Sequence, residues 1–217
     1  MQRFIVEHSI RTSNTQNLSS KITYILFNKP YLVLSQFSKV EGKKTLDEFG
    51  FPKGVYPVGR LDEDSEGLLL LTDDGKLKHK LEEPKFQHPR TYLVQVEDIP
   101  DENTLQKLRD GIEIKNRNTK SNFKTLPALV ELLQEDPNIF PRSVPIRFRK
   151  NIPTSWLRII LHEGKNRQVR RMTAAVGFPT LRLVRIAIGF LSIDGLEIGK
   201  WRELNNDEIK LLKGVLK

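Results

Sequence analysis

The chain has 217 residues, which suits one large domain or two subdomains sharing a core. It has no cysteine, which excludes disulfides and thiolate metal sites, and its four histidines (His8, His79, His88 and His162) lack metal-ligand spacing. Lys and Arg number 36 against 27 Asp and Glu, a formal charge of +9 that predicts attraction to polyanions, nucleic acid first; no apolar run reaches the length of a membrane-spanning helix and no signal-peptide core appears.

Residues 1–20, rich in Ser, Thr, Asn and Gln, read as a flexible arm ahead of a folded unit over 21–217. Residues 22–27 form a β-prone run stopped by Asn28-Lys29-Pro30, and 31–35 return as a second strand. A loop and a short helix occupy 42–50. Two apolar runs, 55–58 and 68–71, suit buried strands. Between them lies a polar loop with Arg60, Asp62, Glu63, Asp64, Ser65, Glu66 and Gly67. In extended geometry Arg60 and Asp62 share one face, and a carboxylate beside a guanidinium stays ionised at neutral pH. Rigid scaffolds place chemistry on such loops, although a solvated acidic turn is the plainer reading of the same residues.

A turn at 72–75 leads into a helix over 76–83, with Leu77 and Leu81 on one face. Residues 90–96 alternate as a half-buried strand, Tyr92, Val94 and Val96 on one side and Thr91, Leu93 and Gln95 on the other. Asp101 caps a helix over 101–109, which Gly111 ends. Residues 115–124 read as an exposed basic loop and 128–133 as a strand. The segment 136–153 contains four prolines together with Arg142, Arg147, Arg149 and Lys150, and reads as a basic surface loop. A strand over 156–161 turns at His162-Glu163-Gly164 into a helix over 165–176. Its apolar face is Val169, Met172 and Val176, with Arg167 and Arg171 opposite and Arg170 on the shoulder. A strand over 180–188 puts Leu181, Leu183 and Arg185 on one side, short strands and turns follow over 189–198, and a helix over 203–216 closes the chain. Strands with interspersed helices and hairpin-length links predict an α+β fold with a mainly antiparallel sheet.

The stretch Gly164-Lys165-Asn166-Arg167-Gln168-Val169-Arg170-Arg171-Met172 breaks a local rule, because cations crowd the positive end of a helix dipole. A compensating anion is implied. It is either a phosphate met by backbone N–H groups, or a carboxylate such as Asp62 met by an arginine turned inward. Tyr92 suits either a core position or a stacking platform for a nucleobase. Val169 and Leu183 are plain core residues on periodicity. No P-loop, dinucleotide-binding glycine pattern, HExxH or serine elbow is present. The residues by themselves describe a basic nucleic-acid-binding domain with one Asp–Arg pair placed for acid–base or nucleophilic work.

Four ordered motifs then carry a resemblance. Gly59-Arg60-Leu61-Asp62-Glu63-Asp64-Ser65-Glu66-Gly67-Leu68-Leu69-Leu70-Leu71-Thr72 resembles the catalytic motif of the RsuA/RluA-type pseudouridine synthases. Arg90-Thr91-Tyr92 is similar to their tyrosine strand motif, Gly164 to Met172 to their third motif, and Leu183-Val184-Arg185 to the adjoining strand; Phe27-Asn28-Lys29-Pro30 matches the first strand and turn. The resemblance implies the pseudouridine synthase fold: a mainly antiparallel bent sheet, flanking helices and a central basic cleft. It also implies isomerisation of a uridine in RNA without cofactor or metal. Asp62 would be the catalytic aspartate, Tyr92 would stack on the base and help remove its C5 proton, and Arg170 would pair with Asp62. Arg60, Lys165, Arg167, Arg171 and Arg185 would hold RNA, and Val169 and Leu183 would wall the base pocket. The arm before Ile22 is too short for the S4 RNA-binding domain common in RsuA-type enzymes. That absence, with Ile152-Pro153-Thr154-Ser155-Trp156-Leu157, implies a large-subunit ribosomal RNA stem-loop as substrate; a cytoplasmic monomer with no obligate protein partner is also expected. The alternatives are a synthase acting on tRNA or small-subunit RNA, and a non-catalytic RNA-binding or ribosome-assembly protein.

Overall fold

A computed structural model describes residues 22–83, 88–115, 122–146 and 152–214. The strands are β1 (Tyr24–Lys29), β2 (Val33–Leu34), β3 (Lys44–Thr45), β4 (Tyr56–Pro57), β5 (Glu66–Thr72), β6 (Arg90–Glu97), β7 (Glu113–Lys115), β8 (Asn122–Lys124), β9 (Leu129–Leu132), β10 (Thr154–Leu161), β11 (Thr180–Ile188), β12 (Leu191–Ser192) and β13 (Trp201–Glu203). The helices are α1 (Gly75–Glu82), α2 (Glu102–Arg109), α3 (Gln168–Ala175) and α4 (Asn206–Gly214). The main sheet runs β13-β1-β5-β11-β6-β10-β9, with β12 on β11 and β4 on β5. The pairings along it are antiparallel except that of β5 with β11.

Residue patterning accounts for the layers. Every residue of β1 and β5 is buried, because these strands are covered on both faces. Leu68 and Leu70 join Tyr24 and Leu26 on one side, while Leu69 and Leu71 join Ile25 and Phe27 on the other. At about 1.5–3 kcal/mol per buried leucine side chain, this pair of strands is the firmest part of that half. Tyr92, Val94 and Val96 of β6 face α2, α3 and β10 in a separate core with Leu105, Leu108, Leu157, Ile159, Val169 and Met172. The alternation read in 90–96 is thus the alternation between that core and the opposite face.

The two halves meet where β5 lies parallel to β11, at Val184↔Glu66 and Arg185↔Gly67. Gly67 has φ +102°, and a Cβ there would stand 2.3 Å from the Arg185 carbonyl oxygen, so this close approach admits only glycine. The seam sets the loop entering β5 beside β11, whose Arg185 in turn pairs across to Tyr92 of β6.

Several elements depart from expectation. The second strand over 31–35 shrinks to β2, which pairs with β3, and the Leu32 N–H before it donates to the Glu63 carbonyl. The run 55–58 contributes only β4. The ends of the basic loop at 115–124 close a hairpin, β7 with β8, around residues outside those described. The third-motif helix starts at Gln168 rather than 165, since Arg167 takes a left-handed backbone (φ 51°). The closing helix spans Asn206–Gly214. The arm at 1–20 and Arg147, Arg149 and Lys150 lie outside the described residues.

Candidate active site

The loop over 59–65 is fixed through its backbone. Leu61 is buried, and the Ser35 hydroxyl donates to its carbonyl at 2.8 Å and accepts from its N–H at 3.2 Å. The Ser65 N–H donates to the Asp62 carbonyl at 3.0 Å, and the Leu32 N–H donates to the Glu63 carbonyl at 2.9 Å. With main chain held on each side, Arg60 and Asp62 present their side chains to a cleft of about 690 Å³. Tyr92 on β6, Leu183 and Arg185 on β11, Val169 at the start of α3, and Lys165 and Arg167 before it line the same cleft. That volume falls in the range of pockets that enclose a small organic group.

The charges are sorted in a way the motif does not announce. Arg167 donates from both Nη atoms to the two Asp64 oxygens at 2.9 Å each, and its Nη1 stands 3.6 Å from Oδ2 of Asp62. Its left-handed backbone costs of order 1 kcal/mol, which the bidentate pair offsets. Arg170 meets Asp64 rather than Asp62: its Nη2 donates to the Asp64 carbonyl at 2.6 Å and its Nε lies 3.4 Å from Oδ2 of Asp64. Burial alone would raise the Asp64 carboxyl, but the Arg167 hydrogen bonds and the charges of Arg170 and Arg167 outweigh it and hold it below its usual value. The pairing expected between Arg170 and Asp62 is therefore made by Arg167 at longer range, because the turn over 62–65 swings Asp64 towards α3. Arg170 does not line the cleft, and neither does Arg171, whose Nη2 donates to Asn166 Oδ1 at 2.8 Å.

Lys165 faces the cleft with its amine engaged, 3.2 Å from Oε2 of Glu163 and 3.9 Å from the centre of the Phe123 ring. Glu163 is buried and accepts from the Leu126 N–H at 2.8 Å and from Nε2 of Gln168 at 2.7 Å. The sequence places Glu163 in a turn. Its signal was position alone, a carboxylate between a strand and a basic motif. Arg185 is buried, donates from Nε to the Leu68 carbonyl at 2.8 Å, and keeps an Nη2 with no hydrogen-bond partner. Burial pushes its guanidinium below its ordinary value, opposed by Tyr92 beside it.

Behind the loop, Lys29 is fully buried and donates to the carbonyls of Pro30 at 2.9 Å and Val33 at 2.6 Å. Burial lowers it from 10.5 to about 7, against the opposing pull of Glu66, Asp64, Asp62 and Glu63. The folded protein thus releases this proton from about pH 7, while the unfolded chain keeps it to about 10.5. The unfolded state binds more protons across that window, so this group makes stability rise with pH there, by up to about 1.4 kcal/mol per pH unit. Urea melts at pH 7 and 9 are expected to show the rise in the wild type and to lose it in Lys29→Met. An equal slope in both proteins would remove Lys29 as its source.

Known proteins place this architecture. Residues 23–175 match the family model of RNA pseudouridylate synthases, and the chain belongs to that family. Over 203 residues it is 49% identical to the ribosomal large subunit pseudouridine synthase E of Vibrio vulnificus, covering 91% of this chain and 84% of that protein. It is 54% identical over 180 residues to the protein of the same description from Xanthomonas campestris pv. campestris, covering 82% and 93%. Among solved structures, one described as a pseudouridylate synthase superposes with a TM-score of 0.71 at 30% identity, covering 88% of this chain and 74% of its own.

Proposed function

We propose that this chain isomerises one uridine of large-subunit ribosomal RNA to pseudouridine, with Asp62 as the reacting carboxylate. The observation that carries the reading is that a single cleft gathers Asp62, Tyr92, Val169 and Leu183 beneath exposed Arg60 and Lys165. The names of the relatives supply the RNA, since both similar proteins quoted above are ribosomal large subunit synthases.

The reaction breaks C1′–N1, turns the detached uracil, and joins C1′ to C5; the C5 proton leaves and N1 of the product gains one. Atoms and electrons balance within the nucleotide. A stacked uridine hides these atoms, so the nucleotide flips into the cleft. Val169 and Leu183 give the base apolar walls, and Tyr92 gives it a face to stack on. Asp62 acts at the sugar, by adding to C1′ or by taking the 2′ proton; both routes need a carboxylate free towards the cleft. Tyr92 helps remove the C5 proton, and Arg185 gives its oxygen a cationic neighbour. Arg60 meets phosphate, and the +9 charge holds the surrounding stem-loop. We infer the substrate's compartment, the cytoplasm, and action as a monomer.

The test is pseudouridine mapping. The purified protein is incubated with deproteinised, unmodified ribosomal RNA, followed by carbodiimide labelling and primer extension. One new site in large-subunit RNA is the expected result. A site in tRNA or small-subunit RNA instead would overturn the substrate, and RNA binding without product in any of them would overturn the enzyme.

A further inference from the structure

The connection from β9 to β10 contains neither helix nor strand in its described parts, 133–146 and 152–153. Pro137, Pro141 and Pro145 fix its φ angles and remove backbone donors, so its course depends on what it touches. The sequence predicts a basic surface loop here, yet two of its residues are anchored, on β11 and, across the β5–β11 seam, on the turn after β1. The Phe140 carbonyl accepts from Nη2 of Arg182 at 2.9 Å. Arg142 lays its guanidinium carbon 3.5 Å from the centre of the Tyr31 ring and donates from Nη1 to the Leu181 carbonyl at 3.3 Å. Arg142 is partly buried, and its Nε is enclosed with no hydrogen-bond partner, so this arginine is not held out for solvent.

The target of that stacking is the turn after β1. The residue following Tyr31 is Leu32, at φ +60°, a backbone conformation that L side chains rarely adopt. In that conformation its N–H donates to the Glu63 carbonyl, between Asp62 and Asp64. The Ser65 N–H then closes on the Asp62 carbonyl. A chain of contacts runs from Arg142 through Tyr31 and Leu32 to the backbone that aims Asp62. Arg142 does not line the cleft itself, so it acts on the chemistry through its neighbours.

We propose that Arg142 is a positioning residue for Asp62: by stacking on Tyr31 it holds the turn whose Leu32 N–H pins the 62–65 loop. The proposal rests on the reading of Asp62 as the reacting carboxylate. Cation–π stacking on a partly desolvated ring is strong enough to matter here, and a phenylalanine ring serves it nearly as well as tyrosine.

The test uses Arg142→Ala, Tyr31→Ala, the double variant and Tyr31→Phe in the full chain, with two readouts. Amide hydrogen exchange at Leu32 and Ser65 is expected to speed up about tenfold in Arg142→Ala, with no change at Val94 in the other core. The single-turnover rate on saturating RNA is expected to fall about tenfold, with RNA affinity changed less than about twofold, because misaiming a reacting group costs rate rather than binding. Tyr31→Ala is expected to match it, the double variant to lose no more than either single change, and Tyr31→Phe to retain the wild-type behaviour. Should Arg142→Ala not fold, the contrast between Tyr31→Ala and Tyr31→Phe decides the matter from the other side. Additive losses, unchanged exchange, or weakened RNA affinity at an unchanged rate would each overturn the proposal, the last by making Arg142 a phosphate contact. A wild type that makes no pseudouridine would sink the functional reading instead, and the exchange measurement alone would still decide whether Arg142 holds the loop.

Discussion

Asp62→Asn is expected to lower the single-turnover rate by at least about 10³-fold, about 4 kcal/mol of barrier, while RNA affinity stays within about threefold. An amide can neither add to C1′ nor take the 2′ proton, and it occupies the same volume. Asp64→Asn is the informative partner, because only one residue separates it from Asp62 and both are acidic. The two Asp64 oxygens are filled by the Arg167 fork and its carbonyl by Arg170, so Asp64 is spent on joining the loop to α3. Its loss is expected to cost about 10- to 100-fold, since Arg167 and Arg170 are left without their shared anion and the loop loosens. Single-turnover rates measured on the mapped RNA separate the two. Equal rates for wild type and Asp62→Asn, or a larger loss in Asp64→Asn, would exchange the two roles.

That distinction shows where the sequence was legible and where it was not. Leu68 to Leu71 announced a buried strand, and Tyr92, Val94 and Val96 a core-facing row, because period and burial are written residue by residue. Asp101 announced its helix in the same way, and its side chain accepts from the Thr104 N–H at 2.8 Å. The choice between Asp62 and Asp64 was not written so. Extended geometry puts both on one face, and the turn closed by Ser65 sends them apart. Helical periodicity starting at 165 put Arg167 opposite the apolar face. The left-handed residue at 167 delays the helix to Gln168 and turns that arginine inward, which no periodicity reports. The inward arginine that the crowded cations implied does exist, but its main partner is Asp64. Leu32 escaped for a related reason: a strand-like pattern at 31–35 conceals a backbone conformation chosen by a distant carbonyl. Contacts at long sequence separation, such as the Leu126 N–H with Glu163 and the Arg142 guanidinium on the Tyr31 ring, leave no local trace.

The second large effect concerns stability. Glu66 is fully buried and Arg182 nearly so, and they share two hydrogen bonds of 3.0 Å across the seam. Arg182→Met is expected to destabilise the protein by about 3–5 kcal/mol, because it strands a carboxylate out of water rather than because the pair itself is worth that much. In a chain of this size that is a fall in Tm of about 6–20 °C. Lys29 lies close enough to feel the Glu66 charge, but its amine is already committed to two carbonyls, so it is a poor replacement. Adding Glu66→Leu to Arg182→Met removes the stranded charge, and the double variant is expected to recover most of the loss, to within about 1–2 kcal/mol of wild type. Urea melts of the three proteins at one pH measure this directly. A double variant no more stable than Arg182→Met would mean that the loss comes from the pair's own attraction and not from a stranded carboxylate. The expected recovery would mean that Glu66 and Arg182 are kept for what they fix: Arg182 also donates to the Phe140 carbonyl, and Glu66 begins the strand that follows the loop carrying Asp62.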